Sequence, residues 1–271
     1  MSARRFAGVG LLRRPGVRWQ TGGAVTPAGP WSPSDLSSLT LWFDETGMSG
    51  SIIEQWDDQA GVIGDGAYFY QANSSFRPRT STINGVTVAS FFSYFMRSLK
   101  LPGAVTLPLS DAISASGYHV FAVASVNALA SNVTSTIGYQ LPGIITDLTA
   151  NWYPFNFRYI DATTVEVVGG HWVGSDVTVS AGNIAAATPV LLEAWYDGTD
   201  FRIQVDGNTP GSAAAGNVAS LTSQINIGSN YTRSHYFRGL ASDIIVCNAA
   251  LSAGDRASAR AYLANKYGIT I

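Results

Sequence analysis

From Leu39 onward the chain is a succession of short apolar runs separated by glycine, proline, asparagine and aspartate. That rhythm predicts strands and turns. Leu39–Phe43 and Thr87–Phe92 are the first two runs. Tyr118–Val126 alternates His119, Phe121, Val123 and Ser125 with Val120, Ala122, Ala124 and Val126. Neither set is fully polar, so this strand is expected to be buried on both sides. Thr163–Val168 is rich in β-branched residues, which suit a pleated surface. Pro189–Tyr196 and Phe201–Val205 flank Asp197-Gly198-Thr199-Asp200, a hairpin signal. Gln224–Gly228 and Asp243–Val246 read as further strands. Many short strands with glycine-rich turns predict an all-β sandwich or jelly roll.

One segment has a different period. Ser252 is placed to cap a helix, with Asp255 as its capping-box acid and Leu251 as a hydrophobic staple. Arg256–Tyr267 is rich in strong helix formers. Ala257, Ala261, Ala264 and Tyr267 share a face by their spacing, and Gly268 suits the position after the last turn. The helix is expected to pack on the sandwich and cover an edge.

Composition changes the picture at the N-terminus. The 271 residues are 46% hydrophobic and only 13% charged, which argues against disorder. The net charge is −2, but residues 1–20 hold Arg4, Arg5, Arg13, Arg14 and Arg18 and no acid. The rest therefore carries 11 basic and 18 acidic residues, a net charge of −7. Thr21–Pro33 is Gly-, Pro-, Ala-, Ser- and Thr-rich, as linkers are. The division expected is a basic arm and linker over 1–34 and a β domain over 35–271. Phe6–Leu12 is too short and too glycine-broken for a secretory signal, and no apolar run is long enough to span a bilayer. A single cysteine, Cys247, leaves no disulfide framework. Nothing in the overall charge calls for nucleic acid.

The run from Pro189 to Gly207, with Tyr196-Asp197-Gly198 closing one strand and Val205-Asp206-Gly207 the next, resembles the central hairpin of concanavalin A-like, laminin-G-like jelly-roll domains. Ile225–Gly228, Phe237–Val246, Ala249–Ser252 and Tyr267-Gly268 are similar to the family's closing segments. Leu41–Asp44 and Gln55–Asp58 resemble an opening found in phage and bacterial surface proteins. The resemblance spans about residues 35–271 and implies two antiparallel sheets packed face to face, with one C-terminal helix. It does not fix function, because the fold hosts lectins, glycosidases, adhesion modules and virion proteins.

Candidate chemistry is sparse. Glucanases of this fold class usually place their acids as Glu-x-Asp-x-x-Glu on one strand, and no such triplet occurs. Asp57 and Asp58 are adjacent, Glu193 stands alone in an apolar run, and Asp44-Glu45 leads into a turn. The three histidines, His119, His171 and His235, accompany no Gly-x-Ser-x-Gly motif, and Cys247 reads as a small core residue. Calcium ligands, if any, would come from Asp58, Asp65 or Asn73. No cofactor and no metal is expected, and no catalysis.

Binding fits the residues better. Trp152, Tyr153, Phe155, Phe157 and Tyr159 form one aromatic cluster that reads as loop-borne. Asn230, Tyr231, His235 and Tyr236 form a second, and His171-Trp172 a third surface pair. From these, Trp152, Tyr153, Tyr159, His171, Trp172, Asn230, Tyr231, His235 and Tyr236 are the candidate glycan- or partner-binding residues. The arm residues Arg4, Arg5, Arg13, Arg14, Arg18 and Trp19 are the candidate anchor, since charge-assisted arginine contacts are strong and directional. The resemblance to the concanavalin A-like family, which has structural and host-attachment members in bacteriophages, together with the arm, implies a bacteriophage virion protein assembled in the host cytoplasm and present in several copies. It is anchored to other virion proteins by its arm, with the sandwich outward for host attachment on a tail. Capsid decoration and a polysaccharide-active enzyme of the same fold are the alternatives.

Overall fold

The computed structural model describes residues 30–62, 68–91, 99–100, 109–127, 143–147, 152–221, 224–229 and 236–271, with backbone alone at 99, 100, 109 and 111. The chain divides into two units, Met1–Pro30 and Trp31–Ile271. Of the first, only Pro30 lies among the described residues, so the arm residues Arg4, Arg5, Arg13, Arg14, Arg18 and Trp19 lie outside them.

Sixteen strands are described in the second unit. They are β1 (Leu39–Phe43), β2 (Gln55–Asp57), β3 (Tyr68–Tyr70), β4 (Arg79–Ile83), β5 (Val86–Ser90), β6 (Leu99–Lys100), β7 (Tyr118–Val126) and β8 (Ile145–Asp147) in the first half. The second half holds β9 (Trp152–Tyr159), β10 (Thr164–Trp172), β11 (Asp176–Ala185), β12 (Pro189–Tyr196), β13 (Asp200–Val205), β14 (Gly211–Ala214), β15 (Ile225–Ile227) and β16 (Gly239–Cys247). The helices are a short α1 (Leu109–Ala112) and the C-terminal α2 (Ala253–Tyr267). Every strand pairing is antiparallel.

One sheet runs β14-β13-β12-β7-β16-β5-β4, with β1 also on β16. Opposite it lie β11-β10-β9 and β2-β3-β6-β15-β8. These two abut where Gly143 bridges Asn156 and Ile144 N–H donates to Phe155 O at 3.2 Å. The architecture is therefore the sandwich expected, with the second layer built in two parts.

All nine residues of β7 are buried, and the two faces of the strand show why. Val120, Ala122, Ala124 and Val126 join the main core between the sheets. Phe121 and Val123 point the other way, with Leu191, Ile245 and Cys247, into a second core beneath α2. An apolar outer face on β7, β12 and β16 has to be covered, so α2 lies on that face and not along an edge.

The ends of α2 match their local signals. Ser252 Oγ accepts from Asp255 N–H at 3.1 Å and donates to Asp255 Oδ2 at 2.8 Å. Gly268 adopts the left-handed conformation that favours glycine at this position. Asn84 Nδ2, from the β4–β5 turn, donates to Tyr267 O at 2.6 Å and satisfies a carbonyl the helix leaves open. The buried face of α2 differs from the expected one. Ala259, Leu263, Ala264 and Tyr267 are buried, whereas Ala257 and Ala261 are exposed. The helix is turned so that Arg256, Arg260 and Lys266 reach acids buried in the sheet below.

Candidate functional site

The first aromatic cluster is a strand, β9, and not a loop. Pro154 and an irregular register between Tyr153 and Asn156 hide its period in the sequence. Alternation across β9 and β10 then divides each predicted pair. Trp152 and His171 face each other and turn inward, both wholly buried. Tyr153 and Trp172 turn outward.

His171 is fully engaged in the core. Its Nδ1 accepts from Tyr118 O–H at 2.8 Å and its Nε2–H donates to Gly216 O at 2.9 Å. Tyr196 and Phe201 pack edge-on to its ring. Burial lowers its pKa, so the ring is neutral. Trp152 and His171 therefore present no face to a ligand, contrary to expectation. Tyr159, opposite Val165, also turns toward the core, where its hydroxyl donates to Asn127 O at 3.1 Å. Burial pushes that phenol up to about 12. Tyr236 is half-buried and bridges Ser229. Asn230, Tyr231 and His235 lie outside the described residues.

What remains is the outer face of β9–β10–β11. In the cross-strand register, Tyr153, Gly170 and Thr178 form one row, and Trp172 pairs with Asp176 beside it. The ring of Tyr153 lies against Gly170, so close that a side chain there would meet its Cε2 at 3.0 Å. Tyr153 O–H reaches across β10 to Asp176 Oδ1 and Thr178 Oγ1, each at 3.2 Å. Trp172 is 38% exposed, among the most open large apolar side chains described. Further along the same face Arg158 and Glu166 form an ion pair. A fixed tyrosine ring, an open indole, a carboxylate and a hydroxyl thus share one rigid sheet surface. Such a surface can hold a flat, partly apolar ring by stacking while polar groups engage its hydroxyls.

The buried acids form a different class. Glu193, on β12, is 1% exposed. Its Oε1 lies 2.9 Å from His119 Nε2 and 2.6 Å from Arg256 Nε, and Gln204 donates to its Oε2. Burial raises the pKa of this carboxyl, but His119 and Arg256 outweigh it and hold it below the ordinary range. With Arg260 Nη1 3.5 Å from Oε2 as the fourth partner, the carboxylate is closed in beneath α2 and has no open side for a substrate. Asp58, the other acid on which a catalytic reading rests, accepts from Trp42 N–H at 2.7 Å and Ala60 N–H at 3.0 Å and stabilises a turn.

Asp44, Glu45 and Asp243 bring carboxylate oxygens within 4.8 Å of one another. Lys266 Nζ fills this cluster, 2.7 Å from Asp243 and 2.6 Å from Glu45. Burial alone would lower the ammonium's pKa, but these acids hold it above the usual lysine range. Asp243 also accepts from Trp42 Nε1–H at 2.9 Å and Tyr267 O–H at 2.7 Å. The cluster pins α2 to the sheet. Of the calcium candidates, Asn73 caps a short helical turn and Asp65 lies outside the described residues. Cys247 is a buried core residue whose thiol is pushed up to about 12 by burial.

No protein-family model and no curated protein sequence matches the chain. Solved structures do. The binding domain of Paraclostridial Mosquitocidal Protein 1 superposes with a TM-score of 0.58 at 10% identity, covering 87% of this chain and 53% of that one. The receptor-binding domain of botulinum neurotoxin type G gives 0.57 at 10% identity, covering 84% and 52%. The likeness is one of fold: a jelly-roll-like β-sandwich. This chain spans about half the length of those two. A Trypanosoma rangeli sialidase, in complex with the inhibitor DANA, matches at 0.50 and 11% identity over 32% of its length. The fold is thus shared by proteins named for binding and by one named as an enzyme, and the site must be argued from this chain's own residues.

Proposed function

We propose that the chain is a lectin-like binding module without catalytic activity, and that it engages a cell-surface glycan through the outer face of β9–β11. The observation that carries this reading is the Tyr153–Gly170–Thr178 row with Trp172 and Asp176 beside it. The site stands on strands, so its groups are held in place before a ligand arrives, which reduces the ordering cost of binding. Two solved structures of similar fold are named as binding or receptor-binding domains, which supports the same direction. Tyr153→Ala and Trp172→Ala are each expected to weaken binding on a glycan array by at least about tenfold, the order of one lost aromatic contact. Their melting temperatures should stay close to that of the parent, because both side chains lie on the outer face. Unchanged binding in both variants would reject this face.

The same proposal extends to the arm. We place the module on a bacteriophage particle, anchored in several copies by Arg4, Arg5, Arg13, Arg14, Arg18 and Trp19 and acting in host attachment at the tail. Capsid decoration is the alternative position. The support is the charge division, five arginines and no acid over residues 1–20 against a net −7 beyond them, together with the resemblance of Leu41–Asp44 and Gln55–Asp58 to an opening found in phage and bacterial surface proteins. Particles lacking the protein should co-sediment with the full chain and not with a chain lacking residues 1–30. Equal co-sedimentation of both would move the anchor to the sandwich, and none by either would remove the particle from the reading.

A further inference from the structure

We infer that the outer face of β9–β11 selects saccharides that carry no acidic group, and that Asp176 is the residue that sets this choice. The inference rests on the glycan reading above and goes beyond it to the class of sugar. The cross-strand register places Asp176 opposite Trp172, so its carboxylate stands beside the open indole. Tyr153 O–H donates to Asp176 Oδ1 at 3.2 Å, which ties the carboxylate to the same aromatic platform. A sugar ring lying on Tyr153 and Trp172 thus meets a fixed negative charge at its rim, with Thr178 supplying a hydroxyl.

No cation on these strands offsets that charge. Arg158 is the one lysine or arginine in β9, β10 and β11, against the acids Glu166 and Asp176. Arg158 is already engaged by Glu166. Glu166 and Trp172 are six residues apart on β10, about 20 Å at a strand's rise per residue, well beyond a physiological Debye length of about 8 Å. His171, the neighbour of Trp172, is buried and neutral. Beyond residue 20 the chain carries a net charge of −7, so the long-range field has the same sign as the local one. A uronate or sialate carboxylate brought within about 6 Å of Asp176 would lose roughly tenfold in affinity at an effective dielectric between those of a protein surface and water. Neutral hydroxyls incur no such repulsion, and a carboxylate rim can accept hydrogen bonds from them.

The test uses the full chain with neutral galactan, mannan and glucan oligosaccharides and the same oligosaccharides oxidised at C6 to uronates. Binding is measured by calorimetry at low and high salt. At least one neutral oligosaccharide is expected to bind, and its oxidised form to bind about tenfold more weakly at low salt. High salt should narrow the difference, and Asp176→Asn should close it. Asp176 is exposed, so the variant should melt with the parent, and the salt series on the parent gives a second readout that needs no variant. Equal affinity for a neutral oligosaccharide and its oxidised form would overturn the inference and leave the glycan reading intact. A difference that persists in Asp176→Asn would overturn the role of Asp176. Binding of none of the oligosaccharides, oxidised or not, would overturn the glycan reading and this inference together.

Discussion

Acidification from about pH 7 to about pH 5 is expected to destabilise the fold through two buried histidines, with a ceiling of about 4 kcal/mol reached when both rings stay neutral throughout. The structural cause is that both rings have their nitrogens committed in the neutral form. His171 accepts from Tyr118 O–H and donates to Gly216 O, and no charged side chain touches it among the described residues. His119 is stacked between Phe121 and Trp195. Its Nδ1 faces Leu251 N–H at 3.4 Å, so that nitrogen serves as acceptor and Nε2–H donates to Glu193. A proton added at Nδ1 would point at another donor. Glu193 favours the charged ring, but burial outweighs it, and Arg256 and Arg260 act in the same sense as burial. Both pKa values lie below the ordinary 6.5.

The sign follows from proton counting. The folded state binds fewer protons than the unfolded chain, so the stabilising contribution is complete above the unfolded value of 6.5 and declines as pH falls below it. Each ring contributes about 2 kcal/mol of loss by about pH 5 if it stays neutral in the fold. Glu193 acts later and from its own side. Its pKa is depressed, so its contribution is present above the ordinary carboxyl range and is lost only as pH falls through the lower folded value. Against a typical total of about 5–15 kcal/mol, the histidine ceiling alone is a large share. Urea titrations across this pH interval read it directly. Replacing His119 or His171 with glutamine should reduce the pH slope by about half in each case, whatever the variant's absolute stability. A slope that stays the same in both variants would mean that other groups carry the acid sensitivity.

The elements most legible in the sequence are those whose signals are local. Asp197-Gly198-Thr199-Asp200 makes a hairpin because Asp197 Oδ1 accepts the N–H groups of Thr199 and Asp200 within the turn itself. Ser252 and Gly268 bound α2 through contacts a few residues long. The double burial of Tyr118–Val126 was readable because both faces are apolar, which no half-solvated strand would be. The candidate site was half legible. Trp152-Tyr153 and His171-Trp172 are adjacent pairs on strands, so one member of each must point inward. Which one depends on the irregular pairing of β9 with β10, and that is set by the fold and not by the residues alone. Asp176 and Thr178 were missed because β11, with its polar Asp176, Thr178 and Ser180, does not look like a strand until β10 lies beside it. The rotation of α2 was illegible for a similar reason. Arginine and lysine read as solvent-facing, and their acidic partners are far away in sequence, Glu193 from Arg256 by 63 residues.

That buried carboxylate carries the second large effect. Glu193→Ala is expected to cost about 3–5 kcal/mol, the range for breaking a buried charge network by removing one partner. Four groups would lose their acceptor: His119 Nε2–H, Arg256, Arg260 and the amide of Gln204. His119 suffers most, because it is wholly buried and cannot turn to water. Arg256 has an alternative hold, since its guanidinium lies 3.7 Å from the centre of the Trp195 ring, and it is partly exposed. Arg256→Ala should therefore cost less than Glu193→Ala, and the double variant less than the sum of the two. Equilibrium unfolding of the four members of that cycle gives the coupling, expected at about 0.5–3 kcal/mol. Because the network lies under α2 and the aromatic platform lies on the opposite layer, the glycan binding proposed for that platform should be unaltered in the fraction that remains folded. A Glu193→Ala protein as stable as the parent would show that the apolar face of α2 and the Lys266 cluster hold the helix without the Glu193 network.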